Sequence, residues 1–165
     1  MLPSDRESMY GYLAGLLKGD ALAKALGFIE QDHGYTVEEQ CELALTEAPT
    51  FCEGERAELI CGKFRELGLA DMLIDEAGNA TGLLKGTHHG GTLLVEAHLD
   101  TVFPLGAVKG VVKNGDRIEV PGICDNCRGL AAMLGIIRAF RSSGVRFAKD
   151  VLFVATTGEE GLGDL

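Results

Sequence analysis

Apolar positions recur at helical spacing in three segments of the N-terminal part. Residues 7–27 carry an apolar side formed by Met9, Leu13, Leu16 and Leu17. Thr36 and Glu39 have the spacing of a capping box, which predicts that a second helix begins there. Residues 54–67 place apolar side chains on one face, and Gly68 stands where such a helix commonly ends.

The spacing of the apolar positions then shortens to the period that is typical of β-strands. Two apolar runs, 69–74 and 80–84, flank a turn-rich segment and predict a hairpin, and residues 92–97 predict a further strand. Asn114-Gly115 is the strongest tight-turn signal in the chain. The continuous apolar run 151–155 predicts a strand that is buried on both faces.

A long helix is predicted over residues 126–141, with Asp125 at its start. Its inward positions are Leu130, Met133, Leu134 and Ile137. A strand, a long helix and a buried strand in succession indicate an α/β fold, with a mixed but mostly parallel sheet flanked by helices.

Composition narrows the class of protein. The chain has 165 residues, of which 46% are hydrophobic and 24% charged, as expected for one globular domain rather than a disordered chain. The net charge of −10 disfavours nucleic-acid partners. We find no targeting signal or membrane-spanning segment, and five irregularly spaced cysteines favour reduced thiols, so we expect a cytoplasmic protein without a membrane partner.

Three polar groups could carry chemistry. His98 and Asp100 follow a predicted strand, Asp125 opens the long helix, and Glu159-Glu160 follow the buried strand. Each has an ordinary alternative: a loop histidine with a capping aspartate, a helix N-cap, and a solvated acidic pair. Together they would meet at the carboxyl ends of the strands, where open α/β sheets bind ligands. Histidine with several carboxylates suits zinc or a similar divalent ion, and an aspartate can bridge two such ions.

The same residues resemble a known family. The segments 98–102 (HLDTV), 122–126 (GICDN) and 157–161 (TGEEG) resemble three signature segments of the co-catalytic zinc metallopeptidases and amidohydrolases. That family includes carboxypeptidase G, peptidase T, acetylornithine deacetylase, succinyl-diaminopimelate desuccinylase and aminoacylase. Residues 49–55 and the helix that follows resemble its N-terminal region, so the resemblance covers nearly the whole chain.

The resemblance implies a role for each residue. His98 would bind one zinc ion, Asp125 would bridge two, and Glu160 would bind the second. Glu159 would be the general base, and Asp100 would orient His98. The cofactors would be two zinc ions, with cobalt or another divalent metal as an alternative. The substrate would be a small peptide or an N-acyl amino acid, cleaved at its amide bond.

The family pattern also needs an acidic ligand a little beyond the double glutamate, a late histidine and an inserted lid or dimerisation domain. All would lie beyond Leu165, so residues 1–165 are expected to form an incomplete catalytic domain, the N-terminal half, and to be inactive alone. An uncovered sheet edge would favour self-association, which leaves a homo-oligomer open.

Two other functions compete. Cys124 and Cys127 form a Cys-x-x-Cys pair that could belong to a structural zinc or redox site, but no second pair completes it. Both thiols are therefore expected to be free, and the helix N-terminus could favour a thiolate at Cys127. A non-catalytic binding or assembly module that retains half of a metallopeptidase site is the remaining alternative.

Overall fold

The computed structural model describes residues 6–88 and 90–161. The helices are α1 (Arg6–Leu17), α2 (Asp20–Gln31), α3 (His33–Leu45), α4 (Gly54–Glu66) and α5 (Cys127–Ser143). The strands are β1 (Ala70–Ile74), β2 (Ala80–Leu84), β3 (Thr92–His98), β4 (Val112–Asn114), β5 (Arg117–Glu119) and β6 (Asp150–Thr156). Within the described ranges, no helix has both the length and the apolar character needed to cross a membrane.

Four strands form one sheet in the order β1-β2-β6-β3. The pairs β1-β2 and β2-β6 are antiparallel, and β6-β3 is parallel. The mixed α/β architecture is therefore confirmed, but parallel pairing is the minority in the described residues, not the majority as predicted. The reason is the tight hairpin β1-β2, whose second strand joins β6 in the antiparallel sense. A separate ribbon pairs β4 with β5 around Gly115, whose φ of 59° suits the predicted turn.

The main core lies between this sheet and the helices α3, α4 and α5. The predicted inward positions of α5 are all buried: Leu130, Met133, Leu134 and Ile137. Val151, Phe153 and Ala155 of β6 belong to the same core, whereas Leu152 on the other face of the strand is half-buried. The prediction that β6 is buried on both faces is therefore confirmed in full only for the face that packs against the helices.

The N-terminal predictions need correction. The apolar segment 7–27 forms two helices, not one, because the chain turns at Lys18-Gly19 and α2 begins after an extended Gly19. α1 has no buried residue. Thr36 does not begin a helix but lies inside α3, where its hydroxyl donates to Asp32 Oδ2 at 3.0 Å.

Glu39 is buried and accepts from Arg138 Nη1 on α5 at 2.6 Å. A contact across 99 residues, rather than a local capping box, therefore explains this glutamate.

Candidate metal centre

His98 is the last residue of β3, and it is paired in register with Thr156 at the end of β6. Because the two strands are parallel, both lead into the same edge of the sheet. The Nε2 atom of His98 lies 3.0 Å from Asp125 Oδ1. On the other side of the ring, Nδ1 lies 3.1 Å from the backbone oxygen of Asp100 and 3.4 Å from its Oδ1. Asp100 therefore holds one ring nitrogen and leaves Nε2 facing the other acids.

Asp125 stands just before α5, with its side chain 76% exposed. It does not cap the helix, because that position belongs to Asn126, whose side-chain oxygen accepts from the Gly129 N–H at 3.0 Å. The peptide bond between Asp125 and Asn126 is cis. The N-cap alternative for Asp125 is thus wrong, and its carboxylate is available for another role.

Asp100 is completely buried. Its carboxylate accepts hydrogen bonds from the Thr50 hydroxyl at 2.9 Å and from the N–H groups of Glu159 and Glu160 at 3.1 and 2.9 Å. Burial alone would raise the pKa of Asp100, but the donors of Glu160, Glu159 and Thr50 outweigh burial and hold that pKa below its usual value. Asp100 is thus ionised and attached to the loop that carries both glutamates.

Glu159 and Glu160 follow Gly158, whose φ of 69° is a left-handed conformation that favours glycine. The Oε2 atom of Glu159 lies 3.8 Å from His98 Nε2. The pKa of Glu160 is raised, first by burial and then by the negative charge of Asp125. A cation in this cluster would relieve that repulsion.

The structure brings the three predicted ligands together. Atoms of His98, Asp125 and Glu160 all lie within 4.8 Å of one another. Two ligands of one tetrahedral zinc ion are about 3.3 Å apart, close to the His98–Asp125 separation of 3.0 Å. An imidazole nitrogen with two carboxylates is also a donor set that zinc accepts. The residues present therefore fit a divalent ion such as zinc, which His98 and Asp125 would hold.

Three further residues support the site and were missed as site residues in the sequence. Thr50 binds Asp100, buried Glu53 accepts from the Gly158 N–H at 3.2 Å, and buried Arg56 donates to the backbone oxygen of Leu99. All belong to the segment 49–56, which bore only a general family resemblance. Their spacing gave no signal, since each acts on a residue at least 43 positions away.

The five cysteines are free, as predicted. Cys124 is exposed and Cys127 is buried. The expected thiolate at Cys127 is wrong, because burial raises the pKa of this thiol despite the charge of Arg56 and its place at the helix start. The Cys-x-x-Cys pair therefore does not present two exposed thiols.

Comparison with known proteins agrees with this geometry. Residues 79–163, just over half of the chain, match the sequence profile of peptidase family M28. The chain belongs to peptidase family M28. The matched range contains His98, Asp100, Asp125, Glu159 and Glu160, so the whole predicted cluster falls within the M28 region.

Known relatives extend the likeness beyond that region. The uncharacterized protein YqjE of Bacillus subtilis strain 168 is 33% identical over 135 residues, a match that covers 75% of this M28 chain and 36% of YqjE. The aminopeptidase PepT from Bacillus cereus is 27% identical with a TM-score of 0.66, over 76% of this chain and 36% of PepT.

Human carnosine dipeptidase 1 shares the fold, with a TM-score of 0.73 at 15% identity, over 87% of this chain and 36% of the dipeptidase. The resemblance to zinc peptidases is thereby confirmed. The M28 chain spans about a third of the length of each of these proteins.

Proposed function

We propose that this chain supplies the zinc-binding half of a peptidase active site, which hydrolyses the amide bond of a small peptide or an N-acyl amino acid. The observation that carries the proposal is that one ligand atom each of His98, Asp125 and Glu160 lies within 4.8 Å of the others. Membership of a peptidase family supports it. The fold shared with an aminopeptidase and a dipeptidase supports a peptide substrate.

His98 and Asp125 would hold one zinc ion, and Asp125 and Glu160 the second. Zinc ions at these positions would polarise the scissile carbonyl and activate a water molecule. Glu159 would accept a proton from that water at its carboxylate and deliver it to the leaving nitrogen. Asp100 would keep the proton of the imidazole on Nδ1, so that Nε2 stays available as a ligand.

The donor count sets the expected strength of binding. A catalytic zinc ion commonly has three protein ligands and a water. In the described residues, the cluster offers each ion two. We therefore propose that the polypeptide 1–165 binds zinc weakly and does not turn over substrate alone. Its free cysteines are typical of the reducing cytoplasm, where we place the reaction.

Zinc titration calorimetry on the 165-residue chain tests the ligand assignment. His98→Ala, Asp125→Ala and Glu160→Ala should each weaken binding at least about 10-fold, because each removes a ligand. Glu159→Gln should bind zinc as the parent does. Glu96→Gln, an exposed substitution on the same strand as His98, is the matched control. Unchanged affinity in all three ligand variants would refute the centre.

Activity needs a separate test. The chain should be assayed with dipeptides and N-acetyl amino acids, both alone and extended by whatever reading frame continues past Leu165. If the extended chain hydrolyses either class, Glu159→Gln should lower its kcat by about 10²–10⁴-fold, the usual contribution of a general base. Zinc binding without turnover in the extended chain would contradict the hydrolase and favour a binding module.

A further inference from the structure

Glu53 is a buried carboxylate that the proposed chemistry does not use. Its residue is 5% exposed, although it stands at the start of α4, where a charged side chain usually meets solvent. Its Oε1 atom accepts from the N–H of Phe51 at 2.9 Å and from the N–H of Gly158 at 3.2 Å. Burying a carboxylate costs free energy unless hydrogen bonds compensate for the lost hydration. The hydrogen bond with Gly158 supplies part of that compensation and ties Glu53 to a distant loop.

The contact with Gly158 belongs to a continuous series. The N–H of Thr157 donates to Asn79 Oδ1 at 2.9 Å, and the N–H of Gly158 donates to Glu53. The next two N–H groups, those of Glu159 and Glu160, donate to the carboxylate of Asp100. Four successive backbone donors are thus fixed by side chains that lie far away in the sequence. The side chains of Glu159 and Glu160 lie beside His98.

Glu53 does not serve its own helix through its side chain. It occupies the N-cap position of α4, yet its carboxylate makes no capping hydrogen bond there. Its Oε1 atom instead reaches across to the N–H of Gly158. The side chain therefore binds the backbone of Phe51 and Gly158 rather than the first turn of α4.

We propose that Glu53 is a positioning residue for the double glutamate. By holding the N–H of Gly158, it sets where the backbone of Glu159 begins, and Asp100 then fixes the next two residues. Without this contact, the backbone of the loop would be free to rotate at Gly158. Gly158 adopts a left-handed conformation and has no side chain that could restrain it. The consequence for zinc rests on the proposed function, whereas the consequence for the loop does not.

Two substitutions separate reach from charge. Glu53→Asp keeps the charge and places a good N-cap on α4, but shortens the side chain by one methylene and withdraws it from Gly158. Glu53→Gln keeps an acceptor oxygen at the same reach and removes the charge. Glu55→Asp, on the exposed side of the same first turn, is the matched control.

Hydrogen exchange of the metal-free chain gives the first readout. In Glu53→Asp the amides of residues 158–160 should exchange at least about 10-fold faster, while those of α5 keep their parent rates. In Glu53→Gln and Glu55→Asp the loop should match the parent. Unchanged loop exchange in Glu53→Asp, or equally fast exchange in Glu55→Asp, would overturn the proposal.

Zinc titration gives the second readout. Residues that orient metal ligands typically contribute about 10–100-fold to affinity. Glu53→Asp should therefore weaken zinc binding by about that factor, and Glu53→Gln should restore it. Loop exchange that rises without any change in zinc affinity would refute a role toward the metal. If the parent binds no zinc, the proposed function fails, and the exchange data still decide whether Glu53 holds the loop.

Discussion

Asp100→Asn should destabilise the protein through one loop contact. In the structure, Asp100 Oδ1 accepts from the N–H of Glu159, and Oδ2 accepts from Glu160 and Thr50. An asparagine side chain can present its oxygen in only one of these directions. If it satisfies the two donors on the Oδ2 side, its amide group faces the N–H of Glu159. One hydrogen bond to a charged acceptor is then lost, at a cost of about 1.5–3 kcal/mol in the free energy of unfolding.

The pH dependence of that loss follows from the pKa of Asp100. The folded protein holds this pKa below the unfolded value of about 3.9. The stabilisation from the ionised carboxylate is therefore fully present above about pH 4 and is lost as the pH falls through the folded pKa. Since the side-chain amide of the Asp100→Asn variant cannot titrate, the difference between parent and variant should be constant near neutrality and should shrink in acid.

Urea unfolding followed by circular dichroism measures both effects. The parent, Asp100→Asn and the exposed control Asp116→Asn should be compared at neutral pH and at about pH 3, below the ordinary aspartate pKa. The control should stay within about 0.5 kcal/mol of the parent. Equal stability of the parent and Asp100→Asn at neutral pH, or a gap that widens in acid, would refute the assigned hydrogen bonds and their charge.

Three further outcomes test the fold. Cys127 should react with a thiol reagent only on unfolding, whereas exposed Cys52 and Cys124 should react in the native state; equal native rates would contradict the burial of Cys127. Phe153→Ala, at a fully buried position, should cost about 3–5 kcal/mol in urea unfolding, and a loss below about 1 kcal/mol would place Phe153 outside the core. Arg138→Met should cost about 1.5–3 kcal/mol by the same measurement, because buried Glu39 loses one of its two cationic partners and keeps only Lys63, and a neutral effect would show that the pair is not needed.

Short sequence patterns predicted the helices and strands that are defined by nearby turn residues or by continuous apolar runs. The hairpin around Asp75 and the strand at Phe153 follow directly from apolar runs and turn residues. The helix at Leu130 follows from its period. The break at Gly19 was missed, because apolar residues continue on both sides of it and the turn leaves no interruption in the pattern. The period of apolar residues shows that one side of the segment is apolar, and such an apolar side can continue across two successive helices.

The site shows the same division. The convergence of His98, Asp125 and Glu160 could be predicted, because each follows a strand or precedes a helix at one edge of the sheet. Glu53 could not, since a glutamate at a helix start is ordinarily solvated. Its hydrogen-bond partner Gly158 lies 105 positions away. A residue that acts on the site by binding the backbone of a distant loop has no characteristic sequence spacing to the site residues. Sequence reasoning therefore does not detect it.

The carboxylates of the site fall into two groups with opposite electrostatics. Asp100 is buried, satisfied by donors of the loop, and has a lowered pKa. Glu160 projects from that loop, faces Asp125, and has a raised pKa. Hydrogen bonds from the loop therefore compensate the negative charge of Asp100 within the protein, whereas the negative charge of Glu160 is not compensated in this way. The outer carboxylates face one another and the His98 imidazole, so a divalent cation bound there would relieve the repulsion between Asp125 and Glu160.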